Sequence, residues 1–205
     1  NLYLAVSDYN YRIADYKVPE EGAIENKYDE EALSKEQIEL AIIQFDSDVK
    51  VLRLPSLVKR GDRLPVLQVR GLNTNTVGAV RKAMSIIENR KIEHKMKGLS
   101  YYRPWIILLT DGNPNPCSQS ELQSLLYDVS HSISENKFML TAIGIGNSVD
   151  KEFLSAISNN NYHRIGQANI STFFQALSAS MTMKYGNGPQ DNLSIELDNE
   201  LQDDI

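Results

Sequence analysis

Tyr101-Tyr102-Arg103-Pro104-Trp105-Ile106-Ile107-Leu108-Leu109-Thr110-Asp111-Gly112-Asn113-Pro114 is the stretch that decides the fold. Five apolar residues run from Trp105 to Leu109. That is too short for a lone helix and right for a strand buried on both faces. Pro104 lacks a backbone donor and suits the start of a central strand. Thr110-Asp111-Gly112 ends the strand with polar side chains at its carboxyl end. In open α/β sheets that edge is where ligands bind. Alone, Asp-Gly also reads as an ordinary turn.

The remainder of the chain supplies alternating elements. Ile38–Phe45 reads as a strand, Asp46-Ser47-Asp48 as a tight turn, and Val49–Leu54 as the second arm of a hairpin. Pro55 and Pro65 bracket a loop-rich link. Gly71–Thr76 opens a helix with a stripe of Val77, Val80, Met84 and Ile87, running to about Arg90. A basic connector, residues 91–100, leads into the quoted strand. Ser118-Gln119-Ser120-Glu121 is a capping-box pattern. It starts a helix with an inner face of Leu122, Leu125, Leu126, Val129 and Ile133. Phe138–Ile145 is another apolar strand, followed by a helix from about Val149, a short strand at Tyr162–Ile165, and a last helix from Ser171. Strands alternating with helices predict a doubly wound, Rossmann-like α/β domain. Its sheet is mainly parallel with one antiparallel edge hairpin, and helices cover both faces.

Residues 1–16 admit two readings. Leu2, Val6, Tyr9, Ile13 and Tyr16 recur at helical spacing, whereas Leu2, Leu4 and Val6 alternate as a strand would. Five points on one stripe outweigh three, so a helix is expected here. Residues 17–37 contain Pro19, Gly22 and seven acids and read as a long connection.

A chain of 205 residues is most simply one domain, with 41% apolar and 23% charged residues, ordinary for a globular protein. No apolar run reaches membrane-spanning length, and the single Cys117 excludes an internal disulfide. Cytoplasm is the default compartment. The net charge of −6 resides in residues 186–205, which hold six acids and no Lys or Arg. The rest of the chain carries no field to attract nucleic acid or an anionic membrane. The acidic tail reads as a solvated end, or else as a docking strip for a basic partner. His94, His131 and His163 are dispersed and read as surface or capping residues. Gly144-Ile145-Gly146 reads as a strand end rather than a dinucleotide fingerprint.

The topology puts Thr74 at the amino end of a helix and Asp111 at the carboxyl end of the next strand, so both can face one crevice. A hydroxyl and a carboxylate are hard oxygen donors suited to magnesium. Taken alone, Thr74 reads better as a helix N-cap. Lys95, Lys97-Gly98 and Ser100–Trp105, followed by Leu108–Pro114, resemble the von Willebrand factor A domains of the tellurite-resistance TerY and YegL type. Glu39–Phe45, Asn73-Thr74 with Val77–Met84, and Phe173–Ser180 are similar to further parts of that family, so the resemblance spans about residues 1–185. It implies a metal-ion-dependent adhesion site in which Thr74 is a direct ligand and Asp111 acts through water. The expected cofactor is magnesium or manganese. The partner is a protein presenting a carboxylate to the metal, in a bacterial stress-response or tellurite-resistance system with kinase and phosphatase partners. No catalysis, nucleic acid or membrane is implied.

The family's Asp-x-Ser-x-Ser motif is not found. If Asn1–Leu4 aligns with the family's first helix, the first strand and its motif lie upstream of Asn1. The helical stripe favours that alignment. If Leu2–Val6 is the first strand, the motif has become Asp8-Tyr9-Asn10-Tyr11-Arg12, whose arginine repels a cation. A metal-independent scaffold with an incomplete site is then the alternative function. A phosphate-handling hydrolase using Asp111 is a third reading, without an evident cluster of base or nucleophile.

Overall fold

The computed structural model describes residues 2–7, 39–57, 65, 73–111, 113–146 and 149–166. Among them, six strands form one sheet: β1 (Leu2–Ser7), β2 (Glu39–Phe45), β3 (Val49–Leu57), β4 (Trp105–Thr110), β5 (Met139–Ile145) and β6 (Tyr162–Ile165). Their order is β3-β2-β1-β4-β5-β6. All neighbours are parallel except β2 and β3, which form the antiparallel edge hairpin. The helices among the described residues are α1 (Thr76–Met96), α2 (Gln119–Ser134) and α3 (Lys151–Ile157).

The first strand overturns the expected helix at the amino end. Leu2–Ser7 pairs with Leu40–Phe45 on one side, and Leu2–Val6 pairs with Trp105–Leu109 on the other. The central position assigned above to a segment upstream of Asn1 is therefore taken by this chain's own residues. The alternation of Leu2, Leu4 and Val6 was the relevant period. Tyr9, Ile13 and Tyr16, the rest of the helical stripe, lie outside the described residues, as do the last helix from Ser171 and the tail.

Both faces of the sheet are buried. Ala41, Ile43, Phe45, Ile106, Leu108, Leu140 and Ala142 meet the three described helices in one core with Ala79, Val80, Ala83, Ile87, Leu125, Val129, Leu154 and Ile157. The alternate residues Ile42, Ile107, Leu109 and Ile143 point the other way and are equally buried. This two-sided burial explains why these strands read as continuous apolar runs. The α1 stripe differs from the expected one. Ala79, Val80, Ala83, Ile86 and Ile87 form it, while Val77 and Met84 pack at its margin. α1 also runs six residues past Arg90 into the expected connector, and β3 continues through Pro55 to Leu57. A proline is tolerated there because β3 is an edge strand with one unpaired side.

The Tyr101–Trp105 run holds the amino edge of the sheet together. The Arg103 guanidinium donates to the carbonyls of Ile133 and Phe138, both at 2.8 Å, joining the end of α2 to the start of β5. The Pro104 carbonyl accepts from the Met139 amide. Trp105 Nε1 donates to Thr141 Oγ1 at 2.9 Å, and Asn161 Nδ2 donates to the same oxygen at 2.6 Å. Tyr101 meets His94 edge-on, with ring centroids 5.4 Å apart. His94 is buried, not a surface residue, at 8% exposure. Its Nε2 lies 3.4 Å from Glu39 Oε2. Glu39 is also buried and is gripped through both oxygens by the Arg90 guanidinium. The hydrogen bonds from Arg90 hold the Glu39 carboxyl below its ordinary value of 4.5 against the opposing effect of burial, with His94 adding to the lowering.

Three outcomes follow. Arg90→Ala leaves the Glu39 carboxylate buried without its fork and is expected to cost about 3–5 kcal/mol, read from urea midpoints. Because the folded carboxyl is depressed, Glu39 contributes stability fully above its unfolded pKa. That contribution disappears as pH falls through the folded value, so the gap between wild type and Glu39→Gln should narrow below about pH 4. Thr141→Val removes the acceptor shared by Trp105 and Asn161 and should destabilise by about 1–3 kcal/mol. A thermal melt of this variant unchanged from wild type would show that the indole finds another partner.

Candidate functional site at the carboxyl edge

Parallel pairing brings the ends of β1, β2, β4 and β5 to one edge, at Ser7, Phe45, Thr110 and Ile145. Three connections converge there. The β2–β3 turn is tied by the Asp48 amide donating to Asp46 Oδ1 at 2.8 Å. The carbonyl of Asp46 accepts from the Asn75 amide, also at 2.8 Å. Thr74 and Asn115 exchange both backbone hydrogen bonds, at 2.7 and 2.9 Å, as an isolated antiparallel bridge. The loop before α1 is thereby clamped between the β2–β3 turn and the loop after β4.

The expected site residues fall on these connections. Thr74 is half-buried in the clamped loop, and Asp111 is half-buried immediately after β4. The sequence placed both at the correct edge. The N-cap role considered for Thr74 belongs to Asn75, whose Oδ1 accepts from the Gly78 amide at 2.9 Å. A Cβ on Gly78 would stand 2.7 Å from that oxygen, so the cap needs glycine there. Thr74 is therefore not the cap of this helix. Sequence reasoning missed Asn75, Asn115 and the carbonyl of Asp46 as the supports of this loop. Only Asn75, directly before the α1 stripe, offered a signal, since Asn is among the best N-caps.

The β5 end completes the edge. Gly144 sits where a Cβ would approach Val149 Cγ2 to 2.9 Å and Tyr162 Oη to 3.0 Å, and Gly146 takes a φ of +77°. Both support the strand-end reading of Gly144-Ile145-Gly146. Burial pushes the Tyr162 hydroxyl up and the His163 imidazole down from their ordinary ranges.

The metal expected of such a site needs five oxygen-bearing side chains, and the residues here do not supply them. With β1 ending at Ser7, the next residues are Asp8-Tyr9-Asn10-Tyr11-Arg12. They lie outside the described residues, but their identities are fixed by sequence. Asn10 and Arg12 stand where the motif has serines. An amide oxygen is a serviceable hard ligand, whereas a guanidinium is always protonated and cannot ligate a cation. Among the described residues, no group of three or more His, Cys, Asp or Glu is placed to hold a metal ion.

A doubly wound sheet with a hairpin edge and its connecting loops gathered at the carboxyl edge defines a Rossmann-like α/β class. Within that class, the von Willebrand factor type A domain matches residues 23–178, and the chain belongs to this family. No curated protein matches it. A von Willebrand factor type A structure from Catenulispora acidiphila is 15% identical with a TM-score of 0.57, covering 89% of this chain and 42% of its own. Proximal thread matrix protein 1 from the mussel byssus is 17% identical with a TM-score of 0.50, covering 85% and 46%. The chain thus spans less than half the length of either, and the likeness is one of fold. Domains of this family are generally protein-interaction modules and often metal-dependent. No helix among the described residues is long and apolar enough to cross a membrane.

Asn75→Ala should cost about 1 kcal/mol by loss of the cap. Its expected further effect is faster amide exchange at Thr74 and Asn115, since the loop loses its anchor to α1. Exchange at wild-type rates would show that the bridge to Asn115 suffices alone.

Proposed function

We propose that this chain is a non-catalytic protein-binding domain that engages its partner at the carboxyl edge around Thr74 and Asp111, without a tightly held metal. The observation that carries this reading is the position of β1. Because Leu2–Ser7 fills the central strand, the residues after it are Asp8–Arg12 rather than an intact Asp-x-Ser-x-Ser. Arg12 brings a fixed positive charge to the segment in which the family places ligands for a cation. A partner carboxylate would meet a guanidinium and hydroxyl donors there, an arrangement that needs no ion. The resemblance of residues 95–114 to the TerY and YegL type supports a stress-response or tellurite-resistance setting with kinase and phosphatase partners.

The test compares full-chain melting temperatures in chelator and in excess magnesium or manganese. An ion held at a concentration 100 times its Kd would add about 2.7 kcal/mol. For a domain of this size that is a rise on the order of 5–10 °C. The expected result is no rise. A rise that Thr74→Ala or Asp111→Ala abolishes would overturn the metal-free reading and reinstate the adhesion site. Capture of partners from host extract, expected to survive chelator and to fail in Arg12→Glu, tests the binding role.

A further inference from the structure

Seven large apolar side chains are exposed among the described residues, and five of them lie between Ile92 and Tyr102. Ile92 is 57% exposed, Met96 82% and Leu99 54%, with Tyr101 and Tyr102 beside them. Ile92 and Met96 are one helical turn apart on the outer side of α1, while His94 between them is buried. α1 then ends in a Schellman turn. The Leu99 amide donates to the His94 carbonyl, the Gly98 amide donates to that of Lys95, and Gly98 takes a φ of +65°. This turn folds Leu99 back toward the last turn of the helix. The result is a concentration of exposed apolar side chains within eleven residues at the amino edge of the sheet, away from Thr74 and Asp111.

The surface is also basic. Residues 88–103 contain five Lys or Arg against two Glu. Arg90 is committed to Glu39 and Glu93, and Lys91 to Glu88. Lys95 and Lys97 meet no carboxylate among the described residues and flank Met96. An apolar strip bordered by lysines calls for an occupant with apolar residues spaced among acids.

The chain carries such a segment. Residues 186–205 hold six acids, no Lys or Arg, and Leu193, Ile195 and Leu197 at alternate positions next to Glu196 and Asp198. Leu193 lies 27 residues beyond Gly166, the last described residue, a span of up to about 90 Å when fully extended. A domain of this length is on the order of 35–40 Å across, so every face is within range. Tethering sets an effective concentration of roughly millimolar, above what a second copy of the chain reaches at micromolar protein. We propose that the acidic segment 186–205 docks on this surface, with Leu193, Ile195 and Leu197 against Ile92, Met96 and Leu99, and its acids against Lys95 and Lys97.

The test uses the full chain, joined by a zero-length carboxyl–amine cross-linker and mapped by mass spectrometry. Expected are links from Lys95 or Lys97 to Glu196, Asp198 or Glu200 within the monomer band. They should be lost in about 0.5 M salt, where screening acts within a few ångströms. They should also be lost in Leu193→Ser/Ile195→Ser/Leu197→Ser, which keeps every lysine and acid, with thermal melting unchanged. Met96 should be oxidised by peroxide more slowly in wild type than in a Leu193→Ser/Ile195→Ser/Leu197→Ser variant. Tail links spread evenly over Lys50, Lys82, Lys137 and Lys151, or no links at all, would overturn the proposal. Links confined to a dimer band would also overturn it, and would assign the surface to a second copy.

Discussion

The parallel pairing of Leu2–Val6 with Trp105–Leu109 is the constraint on which the rest of this molecule depends. Among the described strands, β1 joins the hairpin half of the sheet to the β4-β5-β6 half. Its two registers place Phe45 beside Ser7, and Leu109 beside Val6. The β2–β3 turn, the segment after β1 and the loop after β4 therefore leave the sheet at the same level. Backbone hydrogen bonds to Asp46 and Asn115 then fix the Thr74 loop in that crevice.

What could be read from the residues follows from how each element is buried. β2, β4 and β5 lie under cover on both faces, and their apolar runs admit one interpretation. Ser118 and Glu121 satisfy each other's orphan amides locally, so that helix start was legible without the fold. The amino end was misread because six residues of alternation are a weaker signal than a stripe extended by tyrosines, and tyrosine fits either period. Only a partner on each side decides that Leu2–Ser7 is a strand. His94 shows the same limit. Nothing in its neighbours announces burial, because the groups enclosing it, Glu39 and Tyr101, come from elsewhere in the fold or across a turn. Pro55 misled for the opposite reason. A proline ends a central strand, but on an outer strand its missing donor faces no neighbour.

The two ends of the sheet have different tasks, and this bears on what a sequence resemblance can carry. The Tyr101–Trp105 run, its most specific part, works at the amino edge. There Arg103 joins α2 to β5, and Trp105 and Asn161 share Thr141. Each of those interactions satisfies a group that burial would otherwise leave unpaired, so the run is tied to this sheet packing whatever the domain binds. A match there argues for fold. On the reading proposed above, ligand chemistry belongs to the opposite edge, where Thr74 and Asp111 agree with the resemblance, while in the sequence after β1 Asn10 and Arg12 depart from it. The second set must weigh more for function. A missing hydroxyl weakens a cation site by one ligand, but a guanidinium adds a charge of the wrong sign that no neighbouring oxygen can remove. On the metal-free reading proposed above, the residue that opposes an ion would favour a partner carboxylate instead.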